Sequence, residues 1–100
     1  MTDLVQTGVR RHADWMAQPD DRLLEHLLLE GVRRRFQLRE EFAERDLHYP
    51  DKYLEFRLEK LREYGLVSRR QNGAYAITDD GRAYLAGEWV PESEEGESRA

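Results

Sequence analysis

Apolar residues recur along the chain in short, helix-spaced groups separated by proline, glycine and charge. Leu23, Leu24, Leu27 and Leu28 mark one face of a helix. Gln18-Pro19-Asp20-Asp21 opens it, since proline suits a first turn and aspartates favour the positive end of the dipole. Gly31 is placed to stop it in a left-handed cap. Upstream, Val9, Ala13 and Met16 predict a short helix over residues 9–16, and residues 1–8 form a flexible leader. Downstream, Arg33-Arg34-Arg35-Phe36-Gln37 reads as an extended stretch. Leu38, Phe42 and Ala43 then place a second helix in the run LREEFAERDL. His48-Tyr49-Pro50 breaks the pattern, because a residue before proline is driven out of the helical region. A third helix is predicted from about Asp51 to Tyr64, with Leu54, Leu58 and Leu61 as its buried stripe and Gly65 as its stop.

Two strand-like runs, Leu66–Gln71 and Ala74–Thr78, flank Asn72-Gly73, the strongest short hairpin signal. Thr78 caps a last helix with Asp79 and Asp80 in its first turn, Tyr84 and Leu85 facing inward, and Gly87 at its end. Residues 91–100 contain no core former and five residues earn them the reading of a disordered acidic tail: Glu92, Glu94, Glu95, Glu97 and the chain-breaking Pro91. The domain therefore spans residues 9–90. Its order of elements is that of a mainly helical α+β fold, the winged helix-turn-helix: a three-helix core, a β-hairpin wing and extra terminal helices.

Composition narrows the function. A chain of 100 residues can bury one core but not a core and an enclosed substrate cavity. Cysteine is absent, which excludes disulfides, thiolate metal sites and cysteine nucleophiles. No apolar run is long enough to span a membrane and no basic-then-apolar leader opens the chain, so a soluble cytoplasmic protein is expected. The net charge of −5 is unevenly spread. Residues 32–71 hold 11 basic and 8 acidic groups and are the net-positive part, between acidic ends. Arginine supplies 14 of the 16 basic residues, leaving Lys52 and Lys60. An acidic, lysine-poor chain fits a salt-loving host; a GC-rich genome has the same effect on arginine.

Several stretches resemble haloarchaeal winged-helix regulators related to the phage phi-H repressor. Asp14-Trp15-Met16 followed by Asp20-Asp21-Arg22-Leu23-Leu24-Glu25 is similar to that family's DWM…DDRILE opening. The run LEKLREYGLV from Leu58 to Val67 resembles its exit from the third helix into the wing. Ala74 to Glu88 resembles its wing strand and last helix, Y-x-IT-D-x-G-x-AYL-x-GE. The resemblance implies a DNA-binding transcriptional regulator, repressor-like, with the third helix in the major groove. One departure stands out. On a wheel of about 100° per residue the outward arc of the third helix holds Lys52, Glu55, Phe56, Glu59 and Glu63. Three carboxylates facing phosphates repel them.

The DNA-facing candidates are Arg33 and Arg35 ahead of the second helix, Lys52, Tyr53, Phe56 and Lys60 on the third, and Arg69 and Arg70 at the wing. Helix starts of this kind meet base edges, and guanidinium groups on a hairpin reach phosphates or a narrow minor groove. Trp15, Tyr84 and Trp89 are the candidates for a homodimer contact, since large aromatics anchor interfaces. The expected partners are double-stranded DNA and a second copy, with no membrane and no small-molecule ligand. No catalytic, cofactor or metal site is expected: His12, His26 and His48 lack ligand spacing, Glu40, Glu41 and Glu44 lie on a polar helix face, and neither a phosphate loop nor a nucleophile elbow occurs. The alternative is a winged helix used as a protein-interaction module, with Phe56 and the glutamate row meeting the partner.

Overall fold

Helix α1 spans Gln18–Glu30, and the polar groups of its first turn explain why it begins there. The Asp20 carboxylate reaches back to accept the backbone N–H of Ala17 at 3.0 Å, satisfying a donor that the helix itself leaves unpaired. Leu23, Leu24 and Leu27 form its buried side. The computed structural model describes residue 10 and residues 12–89. The leader, the acidic tail and part of the predicted first helix lie outside the described residues. What is described of that helix is a turn, closed by the Met16 N–H on the Ala13 carbonyl at 3.0 Å. The predicted helix over 9–16 is therefore not formed at residues 12–16. Its apolar groups are too few to carry even two turns.

Gly31 ends α1 with φ 91° and ψ −162°. This is not the left-handed cap expected. It is a region open almost only to glycine, and it turns the chain directly into an extended residue. That extended stretch is shorter than predicted. Arg33 alone pairs with Tyr75, through N–H to carbonyl bonds of 3.0 and 2.8 Å, and helix α2 already begins at Arg35 and runs to Glu44. The side chain of Gln37 accepts the Arg34 N–H at 2.8 Å, and this cap starts the helix early. Arg35, Phe36 and Gln37 are thus helical and not extended.

Helix α3 covers Asp51–Glu63 behind Pro50, as predicted, and buries Leu54, Leu58 and Leu61. Strands β1 (Val67–Arg69) and β2 (Tyr75–Ile77) pair antiparallel with Val67 opposite Ile77 and Arg69 opposite Tyr75. The turn differs from a two-residue loop. Gly73 N–H bonds to the Arg70 carbonyl at 2.9 Å, and Gly73, not Asn72, takes the positive φ of 87°. Asn72 instead accepts the Ala74 N–H on its side chain at 3.0 Å. Helix α4 (Asp79–Leu85) starts at Thr78, whose hydroxyl accepts the Gly81 N–H at 3.0 Å. The core is a single cluster that joins α1, α2 and α3 to the hairpin and α4, with Phe42 and Tyr84 its largest fully buried side chains. Four helices and a two-stranded wing make a winged helix-turn-helix.

Candidate nucleic-acid interface

One buried ion pair fixes the orientation of α3. Arg57 donates to both oxygens of Asp20, at 2.9 and 2.7 Å, and to the Trp15 carbonyl at 2.9 Å. Asp20 is 0% exposed, so this carboxylate is wholly committed to Arg57 and to the Ala17 N–H. The two hydrogen bonds that Arg57 donates to Asp20 raise the Arg57 pKa above its ordinary value, against the desolvation that lowers it. The pair clamps the middle of α3 to the start of α1. Sequence reasoning assigned Asp20 to the helix dipole and did not couple it to Arg57. The only signal was an arginine on the apolar flank of the third helix.

The outward arc of α3 is less hostile to an anion than its composition suggests. Asp51 takes Arg35 at 3.0 Å and Arg39 at 3.5 Å. Glu55 takes Arg35 at 3.6 Å, and Glu63 takes Lys60 at 3.5 Å. Glu59 takes Arg62 at 2.9 Å and accepts the Tyr75 hydroxyl at 2.6 Å. That hydroxyl bond, with Arg62 in support, holds the Glu59 carboxyl below its ordinary pKa despite some desolvation. Burial and Glu59 together push the Tyr75 phenol up to about 12. All four carboxylates of α3 therefore have a partner inside the chain.

The same pairing redistributes the predicted contact residues. Arg33 is spent on Glu41, at 3.1 and 3.0 Å, and lies near Glu30; Arg35 is spent on Asp51 and Glu55. Both brace helices together. Lys60 pairs with Glu63. Among the described residues, Lys52, Arg69 and Arg70 have no ion-pair partner, and all three are exposed. The two wing arginines do not share a face. Arg69 lies over the Tyr75 ring, 5.9 Å from its centre, on the side of Glu59; Arg70 lines a groove with Leu28, Val32 and Ile77 at the end of α1. Adjacent residues at a strand end point to opposite sides, which separates them. Tyr53 is on the surface beside Tyr49, with ring centres 6.4 Å apart. Phe56 is 53% exposed, its ring 5.4 Å from the Arg57 guanidinium. Arg34, exposed at the start of α2, was not singled out by sequence reasoning. The Arg34-to-Gln37 spacing that caps α2 was its available signal.

The aromatic trio expected at a subunit contact is engaged within one chain. Trp15 stacks on Tyr64 at 4.2 Å and 9°. Tyr84 is fully buried, bonded through its hydroxyl to Asp21 at 2.5 Å, and Trp89 meets it edge-on at 5.7 Å. Burial keeps the Tyr84 ring from reaching a second copy.

This geometry is a hairpin set beside a clamped third helix, with a surface of paired carboxylates and a few cations that have no ion-pair partner among the described residues. It matches known proteins in sequence as well as in shape. A family profile described as winged helix-turn-helix phage repressor matches residues 9–97. The chain belongs to that family. Among solved structures, it is similar to the PhiH1 repressor-like protein from Haloarcula marismortui, with 33% identity and a TM-score of 0.74 over 81% of this chain and 89% of that one. No functionally curated protein matches the chain. In this chain the DDR opening and the Thr78–Leu85 block each hold the fold together. Asp20 anchors α3, Asp21 receives Tyr84, and Gly81 lets α4 sit on the hairpin.

Proposed function

We propose that this phage-repressor family member is a transcriptional regulator that binds double-stranded DNA in a sequence-selective way. In this reading the outward side of α3 enters the major groove, with Tyr53 and Phe56 at base edges and Lys52 at a phosphate. Arg69 approaches the backbone or minor groove from the wing. The observation that carries the reading is the pairing of Asp51, Glu55, Glu59 and Glu63 within the chain, while Lys52 and Arg69 remain exposed without an ion partner among the described residues. A locally neutral helix face can approach DNA where four bare carboxylates could not. The regulator works as a homodimer, and its acidic, arginine-rich composition suits a salt-rich cytoplasm.

The test is selection from a random double-stranded DNA library, followed by fluorescence anisotropy on the enriched duplexes from about 0.2 to 3 M KCl. Enrichment of one motif is expected. No enrichment and no binding by a folded protein across that range would overturn the proposal. The exposed Phe56 would then support a protein-interaction role for the same face.

A further inference from the structure

Phe56 is the most exposed phenylalanine, tyrosine or tryptophan among the described residues, at 53%. It stands on the outward side of α3, one turn after Lys52 and Tyr53 and one turn before Glu59 and Lys60. Its ring is nevertheless held in place. The Arg57 guanidinium lies over it, 5.4 Å from the ring centre, where the ring quadrupole attracts a cation. That guanidinium is itself locked, by two bonds to the wholly buried Asp20 and one to the Trp15 carbonyl. Phe56 is thus an exposed apolar group set on a buried ion pair, and a contact made through it loses little side-chain freedom.

The charged side chains around Phe56 are already engaged: Glu55 with Arg35, Glu59 with Arg62 and the Tyr75 hydroxyl, and Lys60 with Glu63. A phenyl ring neither donates nor accepts a hydrogen bond. Among the groups that the four bases present in the major groove, the apolar one is the C5 methyl of thymine. We propose that Phe56 is a specificity-determining residue that selects thymine through this methyl group. The proposal rests on the reading of α3 as the helix that enters the groove, with Lys52 one turn earlier at a phosphate. Because the selected group is the methyl and not the base pair, 5-methylcytosine, which carries the same methyl on the same ring carbon, takes the place of thymine at this contact.

The test uses the full chain and duplexes enriched from the random library. Each thymine in turn is replaced by deoxyuridine, which keeps the pairing with adenine and lacks the methyl. Anisotropy should show about fourfold weaker wild-type binding when the contacted thymine is replaced, the worth of burying one methyl. Phe56→Ala should bind the thymine and uracil duplexes equally, whereas Phe56→Leu, which keeps an apolar contact, should retain part of the discrimination. Changing the contacted pair to C·G should weaken wild-type binding, and 5-methylcytosine in that pair should recover about fourfold. Thermal melting establishes that both variants are folded. Equal wild-type binding to every thymine and uracil duplex overturns the proposal, as does a uracil loss that persists undiminished in Phe56→Ala. Loss of all binding by a folded Phe56→Ala also overturns it, since one methyl contact is too small to account for that. These outcomes leave the DNA-binding reading standing; absence of wild-type binding to any duplex overturns both.

Discussion

The Tyr75 hydroxyl donates a 2.6 Å hydrogen bond to the Glu59 carboxylate, tying the second wing strand to the middle of α3. Tyr75 also exchanges both backbone hydrogen bonds with Arg33, so one residue joins the wing, the approach to α2 and the third helix. A hydrogen bond to a charged group is worth about 1.5–3 kcal/mol. Tyr75→Phe keeps the ring in the core and should lower the unfolding free energy by about that amount in a urea titration at pH 7. The raised Tyr75 pKa adds an alkaline signature. Its folded value of about 12 lies above the unfolded value near 10. Stability from the protonated phenol is complete below the unfolded pKa and is lost as pH rises from about 10 to 12, by about 2–3 kcal/mol. The Phe variant should show a correspondingly flatter decline, and identical pH profiles would contradict the link.

Breaking the Asp20–Arg57 clamp should be far more damaging than its two polar residues suggest. Asp20→Ala strands a buried guanidinium and should cost about 3–5 kcal/mol, a large share of the stability of a small domain. Combining it with Arg57→Met removes the stranded charge and should recover part of the loss. A double-mutant cycle by thermal melting measures the coupling. Additive losses would mean that the two groups act independently.

Gly81 offers a test of packing. It has an ordinary helical φ, so the strain of a side chain there is purely one of space. An added Cβ would lie 2.3 Å from the Leu66 carbonyl oxygen and 2.6 Å from Ile77 Cγ1. Alanine in a helix interior would otherwise gain about 1 kcal/mol over glycine. Gly81→Ala should nonetheless melt earlier, with α4 displaced from the hairpin. A higher melting temperature would show that the close approach is absent.

The fold was largely legible because its signals are local. The leucine spacing in α1 and α3, Pro50, the glycine-bearing turn and the Thr78 cap each act within a few residues. The misreadings of charged residues share a cause, which is competition from contacts distant in sequence. Asp20 and Asp21 satisfied a dipole argument as neighbours, yet in three dimensions one serves Arg57 and the other Tyr84. Arg35 looked like a free cation in an extended run, but α2 starts there and turns it onto Asp51. The glutamates of α3 looked repulsive because their partners come partly from other elements: Arg35, Arg39 and the Tyr75 hydroxyl. Charge read along a chain overstates charge on a surface wherever helices bring opposite signs together.

That distinction sets the dependence of DNA binding on salt. Each phosphate neutralised contributes a slope of about −0.9 in log affinity against log salt. With Arg33, Arg35 and Lys60 spent inside the chain, few cations remain for phosphates, and the wild-type slope should be shallow, about −2 to −3. Glu55→Gln removes one carboxylate from the outward arc and loosens Arg35, whose remaining anchor there is Asp51. The slope should steepen by about 1. Arg69→Ala should weaken binding to all sequences alike and flatten the slope by about 1, whereas Arg70→Ala, on the far side of the hairpin, should change it less. Tyr53→Ala should alter which duplexes are preferred more than how tightly an average duplex binds. Anisotropy titrations on the selected duplexes give all four slopes and preferences in one experiment. Equal slopes for the wild type and Glu55→Gln would mean that this side of α3 does not face the phosphates.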